Sequence, residues 1–177
     1  MTISDAVRAR VRKRADYACE FCGVREVDSG GELTMDHYQP KFKGGNDDLD
    51  NLLYCCQRCN QYKLDYWPVR AGDLPLWNPR QNNASKHFIE LDDGKLHPLT
   101  SIGAFTINRL RLNRPPLIAH RIRERQLAED ARRLARQQEA VRLLENLNRQ
   151  FSALVEEQQR LLEELGELLR FLLGSRK

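Results

Sequence analysis

The chain has 177 residues, of which 31% are charged, 41% hydrophobic and 7% aromatic. This length suits one modest domain with an appendage, and the charged fraction predicts a long solvated helix. The first residues contain no apolar signal segment, and no run approaches the ~18 apolar residues of a membrane span. We therefore expect a cytoplasmic protein without membrane association, whose cysteines stay reduced and bind metal.

Charge is distributed unevenly along the chain. The net charge is +4 over residues 1–15, −5 over 16–103 and +6 over 104–136. An acidic centre between two basic segments suits a divalent-metal site beside a phosphate-binding surface. Arginines that only solvate helices would give the same pattern, so charge alone leaves both interpretations open.

In chain order, the first predicted elements are a helix, two strands and a second helix. Ser4 is a candidate N-cap for a short basic helix. A strand is predicted around residues 33–37, followed by a loop that Pro40 and Gly44-Gly45 break. A second strand is predicted over 51–55, and the next helix starts near Cys56. Residues 68–100 read as loops with one hairpin, and a further helix is predicted over about 100–112.

A single long helix is predicted from residue 117 onward, with apolar residues in a heptad pattern. The a positions are Leu134, Val141, Asn148, Val155, Leu162 and Leu169, and most d and g positions are also apolar. Such a stripe must be buried against a copy of itself, the preceding domain or another protein, such as an ATPase. We favour a dimer through residues 134–177, because Asn at an a position specifies register.

Four cysteines form two C-x-x-C pairs that predict a structural zinc site. The pairs are Cys19/Cys22 and Cys56/Cys59, separated by 33 residues. Each pair can present two thiolates to one tetrahedral ion, and the second pair opens a helix whose dipole favours thiolates. Cys55 does not fit this spacing and is expected to be a buried free thiol.

Between the cysteine pairs lie residues suited to phosphodiester hydrolysis, which needs a base and a divalent cation. His37 suits the base, because its pKa lies closest to neutral. Asp36 and Asn60 offer hard oxygen ligands for Mg²⁺ or Mn²⁺. Asn51 could hydrogen-bond the loop or the histidine. Strict alternation would place Asp36 and His37 on opposite faces of a strand, so they converge only if the strand ends there.

Over residues 19–63 this pattern resembles the HNH endonuclease family, which has a ββα-metal (His-Me finger) fold. The resemblance rests on the cysteine pairs, Asp36-His37-x-x-Pro40, Gly44-Gly45, Asn51-Leu52 and Cys59-Asn60-x-x-Lys63. It implies that His37 is the general base, that Asp36 and Asn60 hold one catalytic cation, and that Asn51 positions the loop and base. Lys63 also fits the family pattern, either as a phosphate contact or as a structural residue.

The expected protein is therefore α+β: residues 1–116 form a nuclease domain with a zinc site, and residues 117–177 a coiled coil. The expected activity is DNA hydrolysis, with nicking at each site and double-strand cleavage by a dimer. The alternative is a nuclease subunit, or a zinc-dependent nucleic-acid-binding module, that acts only within a larger complex. The residues expected to contact nucleic acid are Arg8, Arg12, Lys63, Arg111 and Arg114.

Overall fold

The computed structural model describes residues 3–174, apart from the side chain of Leu172. The chain divides into two compact units, Met1–Glu124 and Arg125–Lys177. The mixed helix and strand content confirms the predicted α+β class. Residues 175–177 of the predicted coiled coil lie outside the described residues, and the predicted domain boundary at residue 116 stays a prediction.

The first unit opens with helix α1 (Asp5–Arg14) and the single-turn helix α2 (Glu26–Ser29). Ser4 caps α1 as predicted, because its Oγ accepts a hydrogen bond from the Val7 amide over 3.4 Å. Val11 is buried against the strands that follow, which leaves most basic side chains of α1 at the surface.

A two-stranded antiparallel sheet and a short helix form the centre of this unit. Strand β1 (Thr34–His37) pairs with β2 (Leu52–Cys55), and helix α3 (Gln57–Lys63) follows directly. All four residues of β2 are buried, because alternate side chains enter two different apolar clusters. Leu52 and Tyr54 pack with Val11 of α1, whereas Leu53 and Cys55 pack with the cysteine-rich core.

The rest of the first unit encloses that core. A hairpin of β3 (Phe88–Glu90) and β4 (Leu96–Pro98) confirms the predicted hairpin, and helix α4 (Ser101–Arg109) follows it. Thr100 caps α4 through a hydrogen bond from the Gly103 amide. Phe88 and Trp77 meet edge to face, with ring centroids 5.3 Å apart, and both belong to the buried core.

Helix α5 (Pro115–Gly174) starts at a proline, which lacks the amide proton that a first helical residue would leave unpaired. Its part within the first unit buries Leu117 and His120. In the second unit the described apolar side chains are exposed, including Leu144 at 65% and Leu162 at 68%. Within residues 3–174, no helix combines the length and apolar character needed to cross a membrane.

Candidate active site and metal centre

The four predicted zinc ligands form one cluster. Their Sγ atoms all lie within 4.8 Å of one another, and those of Cys22 and Cys56 are 3.7 Å apart. Zinc–sulfur bonds of about 2.3 Å in a tetrahedron put neighbouring sulfurs about 3.8 Å apart. The cluster is therefore compatible with a structural zinc ion, which would join the segment after α1 to the start of α3.

The clustered thiols differ in acidity. Hydrogen bonds from Cys22 and the other thiols lower the pKa of Cys19 well below its usual value, whereas hydrogen bonds with Cys19 raise the pKa values of Cys22 and Cys59. The guanidinium of Arg114 lies 3.8 Å from Cys59 Sγ. Cys55 is not in the cluster of four; a hydrogen bond with Cys19 and burial raise the pKa of its thiol. Cys55 therefore stays protonated and packs as part of the core.

Helix α3 places Asn60 against the face of β1 that bears Asp36, the other predicted ligand of the catalytic cation. The Asn60 amide donates to Thr34 Oγ1 over 3.4 Å, and Lys63 Nζ lies 3.0 Å from Asp36 Oδ2. Thr34 and Asp36 share a face of β1 because they are two residues apart. Asn60 and Lys63 are three residues apart on α3 and so share a helix face.

The Asp36 carboxylate is paired with a lysine. Its Oδ2 is buried and lies 3.0 Å from the Lys63 ammonium. Burial raises the pKa of Asp36, against the opposing effect of Lys63. Carboxylate and amide oxygens suit Mg²⁺ or Mn²⁺, and α3 places Asn60 against the face of β1 that bears Asp36.

The His37 ring binds the loop between the strands. Its Nε2 lies 2.7 Å from Asp47 Oδ1. Hydrogen bonds from Lys41 and His37 lower the pKa of Asp47, so this carboxylate is ionised and can only accept. His37 therefore donates through Nε2.

Within residues 3–174, the His37 ring makes no hydrogen bond to Asp36 or Asn60. In the sheet, Asp36 lies opposite Leu53 and His37 opposite Leu52. Because these leucines enter different apolar clusters, the two side chains leave β1 on different faces, as strict alternation requires. Asp36 and His37 are the last two residues of β1, and their side chains leave the strand in opposite directions.

Asn51 holds the two ends of the loop together. Its Oδ1 accepts from the Gln39 amide over 2.8 Å, and its Nδ2 donates to the carbonyls of Gln39 and Asn46. Gly45 lies under this clamp: a Cβ there would be 1.9 Å from the Gln39 carbonyl oxygen. Asn51 therefore holds the conformation of the loop that bears Asp47.

The predicted nucleic-acid contacts differ in what they touch. Arg8 and Arg111 are exposed, and Arg111 stacks on the Tyr62 ring at 5.0 Å. Arg12 is held by two carboxylates, those of Glu26 and Glu32, at 2.6 and 2.7 Å. Arg114 is half-buried beside the cysteine cluster.

Lys63 requires a correction, because its side chain is 0% exposed. Its Nζ donates to the His37 carbonyl over 2.6 Å, faces Asp36, and lies 3.4 Å from the Leu64 carbonyl. An ammonium enclosed in this way does not reach a phosphate. Of the two roles that the motif left open, the structure supports the structural one.

Two functional contacts were missed from the sequence. Asp47 orients His37, and its only sequence signal is its place in the acidic run after Gly45. Glu20 lies between the first two cysteines, where it accepts from the Tyr54 amide and pairs with Arg80. Both contacts span at least ten residues of chain, so local patterns do not reveal them.

A further set of metal-ligand types lies at the start of α5. Ligand atoms of Asp28, His120 and Glu124 lie within 4.8 Å of one another. The Asp28 carboxylate, however, already faces Arg123 at 3.4 Å. A cation partner is therefore present without a metal, and the group is accounted for as an ion pair.

Comparison with known proteins supports the assignment of the central segment. The family model for HNH endonuclease matches residues 19–65, which confirms the predicted resemblance. The matched segment contains the four clustered cysteines, both strands of the first sheet and α3. The chain thus carries an HNH domain, which indicates nuclease activity in general terms. A search of curated proteins finds no match.

Proposed function

We propose that residues 19–65 are the catalytic module of a metal-dependent endonuclease that hydrolyses DNA phosphodiester bonds. The observation that supports this most directly is the match of residues 19–65 to the HNH family, within which α3 places Asn60 against the face of β1 that bears Asp36. Asp36 and Asn60 would hold one Mg²⁺ or Mn²⁺ ion. The four cysteines would hold Zn²⁺ and keep α3 against the sheet.

In the proposed reaction His37 Nδ1 takes a proton from water, and the water oxygen attacks phosphorus. The P–O3′ bond breaks, and the 3′-oxygen takes a proton from solvent. The cation would neutralise the phosphate and stabilise the departing oxygen. Asp47 keeps Nε2 protonated, so that Nδ1 remains the basic nitrogen. Asn51 maintains the loop from which Asp47 extends.

The experiment is nicking of supercoiled plasmid by the purified full chain with Mg²⁺ or Mn²⁺. His37→Ala should abolish nicking and leave the fold intact. His97→Ala is the matched control, because His97 is exposed on β4 and lies outside the module. Cleavage by His37→Ala at the wild-type rate, after removal of contaminating nucleases, would show that His37 is not the base.

DNA would be held mainly through phosphates, by the exposed Arg8 and Arg111. Arg12 and Arg114, whose guanidiniums already have protein partners, would contribute less. Phosphate contacts carry little sequence information, so weak sequence preference and strong salt dependence are expected. None of the five cysteines is in a disulfide, which suits a reducing compartment such as the cytoplasm.

The C-terminal helix would bring two nuclease modules together. Its exposed leucines, such as Leu144 and Leu165, recur at heptad spacing, and a helix gains stability by burying such a stripe. We favour a dimer through residues 134–177, which would allow double-strand cleavage. The second candidate is a nuclease subunit recruited by another protein, such as an ATPase, through the same stripe.

Solution mass tests this part of the proposal. Leu165→Glu, at a d position, should convert a dimer of the full chain to a monomer. Leu143→Glu, at a c position outside the stripe, should not, although Leu143 is equally exposed. A wild-type monomer that nicks plasmid only after addition of a partner protein would favour the second candidate.

A further inference from the structure

Beside the HNH module lies a cavity of about 540 Å³. One wall is the loop that Asn51 clamps, including Gln39 and Gly44. The opposite wall is the segment after α3, including Trp67 and Trp77. The volume is within the usual range for small-molecule sites, roughly 300–1,000 Å³. Asn51 lines it, whereas His37, Asp36 and Asn60 do not.

Aromatic rings form much of this cavity. Trp67 is half-buried, and Tyr38 meets it edge to face at 5.7 Å. Trp77 is only 7% exposed and packs against Phe21 and Phe88. Trp67 is less buried and keeps ring surface on which a planar group can stack. The cavity therefore offers a surface for a flat ring.

Polar groups without partners also line the cavity. Asn78 is only 5% exposed; its Oδ1 accepts from the Arg80 amide, and its Nδ2 has no hydrogen-bond partner among residues 3–174. In the same described part of the chain, the side-chain amides of Gln81 and Asn82 and the indole N–H of Trp67 make no hydrogen bond. Gln81 and Asn82 are exposed, so their amides can offer donors and acceptors to a ligand that enters the cavity.

The charge of the lining excludes a phosphate. Asp48 and Asp50 contribute to the wall, and no lysine or arginine does. The ligand should therefore be uncharged, planar and able to hydrogen-bond at its edge. A nucleobase has these three properties.

We propose that this cavity takes one unpaired nucleobase of the nucleic acid that the HNH domain cuts. The inference rests on the proposed nuclease function and names its substrate class: DNA with a bulged, mismatched or single-stranded base near the cut. Loop 38–51 contributes both the cavity wall and Asp47, so a captured base would lie next to the strand that His37 acts on. An already unpaired base enters most readily, because it has no pairing to lose.

The test uses intrinsic fluorescence, because the chain has two tryptophans and both line the cavity. Full-length His37→Ala protein, which should not cleave, is titrated with a duplex that carries a one-nucleotide bulge and with the same duplex fully paired. We expect the bulged duplex to quench the emission and to bind about tenfold more tightly. Equal affinity without quenching would overturn the proposal.

Two variants and one further probe complete the test. Trp67→Ala should lose the preference for the bulge while binding paired DNA as before, and Trp67→Phe should keep most of it, because a ring remains. If Trp67→Ala keeps the full preference, the base does not stack in this cavity. Free nucleosides should bind much more weakly than the bulged duplex; equal affinity would mean that the site serves a free nucleoside instead. The titration measures binding and the plasmid assay measures cleavage. Failure of the nuclease proposal can therefore be told apart from failure of the base-binding proposal.

Discussion

Replacing Lys63 by methionine tests the interior role that the structure gives to this lysine. Methionine keeps most of the aliphatic stem and removes the ammonium. The substitution leaves the Asp36 carboxylate, 14% exposed, without its cation and the His37 carbonyl without a 2.6 Å hydrogen bond. The packing around α3 changes little, so the effect should come from charge and hydrogen bonding.

The expected loss of unfolding free energy is about 3 kcal/mol. Removing one partner of a buried ion pair costs about 3–5 kcal/mol, and the lower value applies because Asp36 keeps some contact with solvent. A total stability of roughly 5–15 kcal/mol makes this a large change. The double variant Asp36→Asn/Lys63→Met should recover about 1–2 kcal/mol, since it no longer has an uncompensated carboxylate.

The unfolding free energy of Lys63→Met should also change with pH in a defined direction. Burial already raises the pKa of Asp36, and the opposing pull of Lys63 is lost in Lys63→Met. A carboxyl whose pKa is raised by folding stays protonated to a higher pH in the folded chain than in the unfolded chain. Stability therefore falls as pH rises from the unfolded pKa, about 3.9, through the folded one. The deficit of Lys63→Met should grow with pH across this window in zinc-saturated protein.

The assay is urea unfolding at saturating zinc, followed by tryptophan fluorescence. Both tryptophans lie in the first unit, so the C-terminal helix does not contribute to the signal. Lys86→Met is the control, because Lys86 is exposed, and it should stay within about 0.5 kcal/mol of wild type. If Lys63→Met also unfolds like wild type while the salt dependence of DNA binding drops by about one ion, the ammonium binds a phosphate and the interior role is wrong.

Three further substitutions test the loop, the cysteine cluster and the proposed coiled coil. Gly45→Ala should lower plasmid nicking by about a hundredfold, because its Cβ would lie 1.9 Å from the Gln39 carbonyl oxygen. Gly31→Ala is the control, because no atom lies within 4 Å of its added Cβ, and it should have no effect. Equal nicking rates for the two variants would show that Gly45 is not needed for the loop conformation. Cys22→Ser should release zinc, measured by metal analysis, and unfold the HNH domain; a folded, zinc-loaded variant would contradict the four-cysteine site. Asn148→Leu should raise the melting temperature of the helix and weaken its preference for one register, and an unchanged melting curve would place Asn148 outside the interface.

Much of the first unit could be predicted from sequence because its signals are local. The C-x-x-C pairs, the N-cap at Ser4 and the hairpin of β3 and β4 each depend on residues a few positions apart. Helical and strand periodicity also placed Asn60 and Lys63 on one face of α3. The heptad pattern predicted the long helix, although what covers its exposed leucines stays a prediction.

Other features depend on contacts between distant parts of the chain. A lysine in a nuclease motif can face solvent or the interior, and only the packing of α3 against β1 encloses Lys63 beside Asp36. The partnership of His37 and Asp47 needs the loop conformation that Asn51 holds. The aromatic cavity forms only where Trp67, which follows α3 in the chain, packs against Tyr38 at the start of the same loop. Burial and long-range pairing are properties of the folded chain, so composition and spacing determined which residues take part and tertiary structure decided what each of them touches.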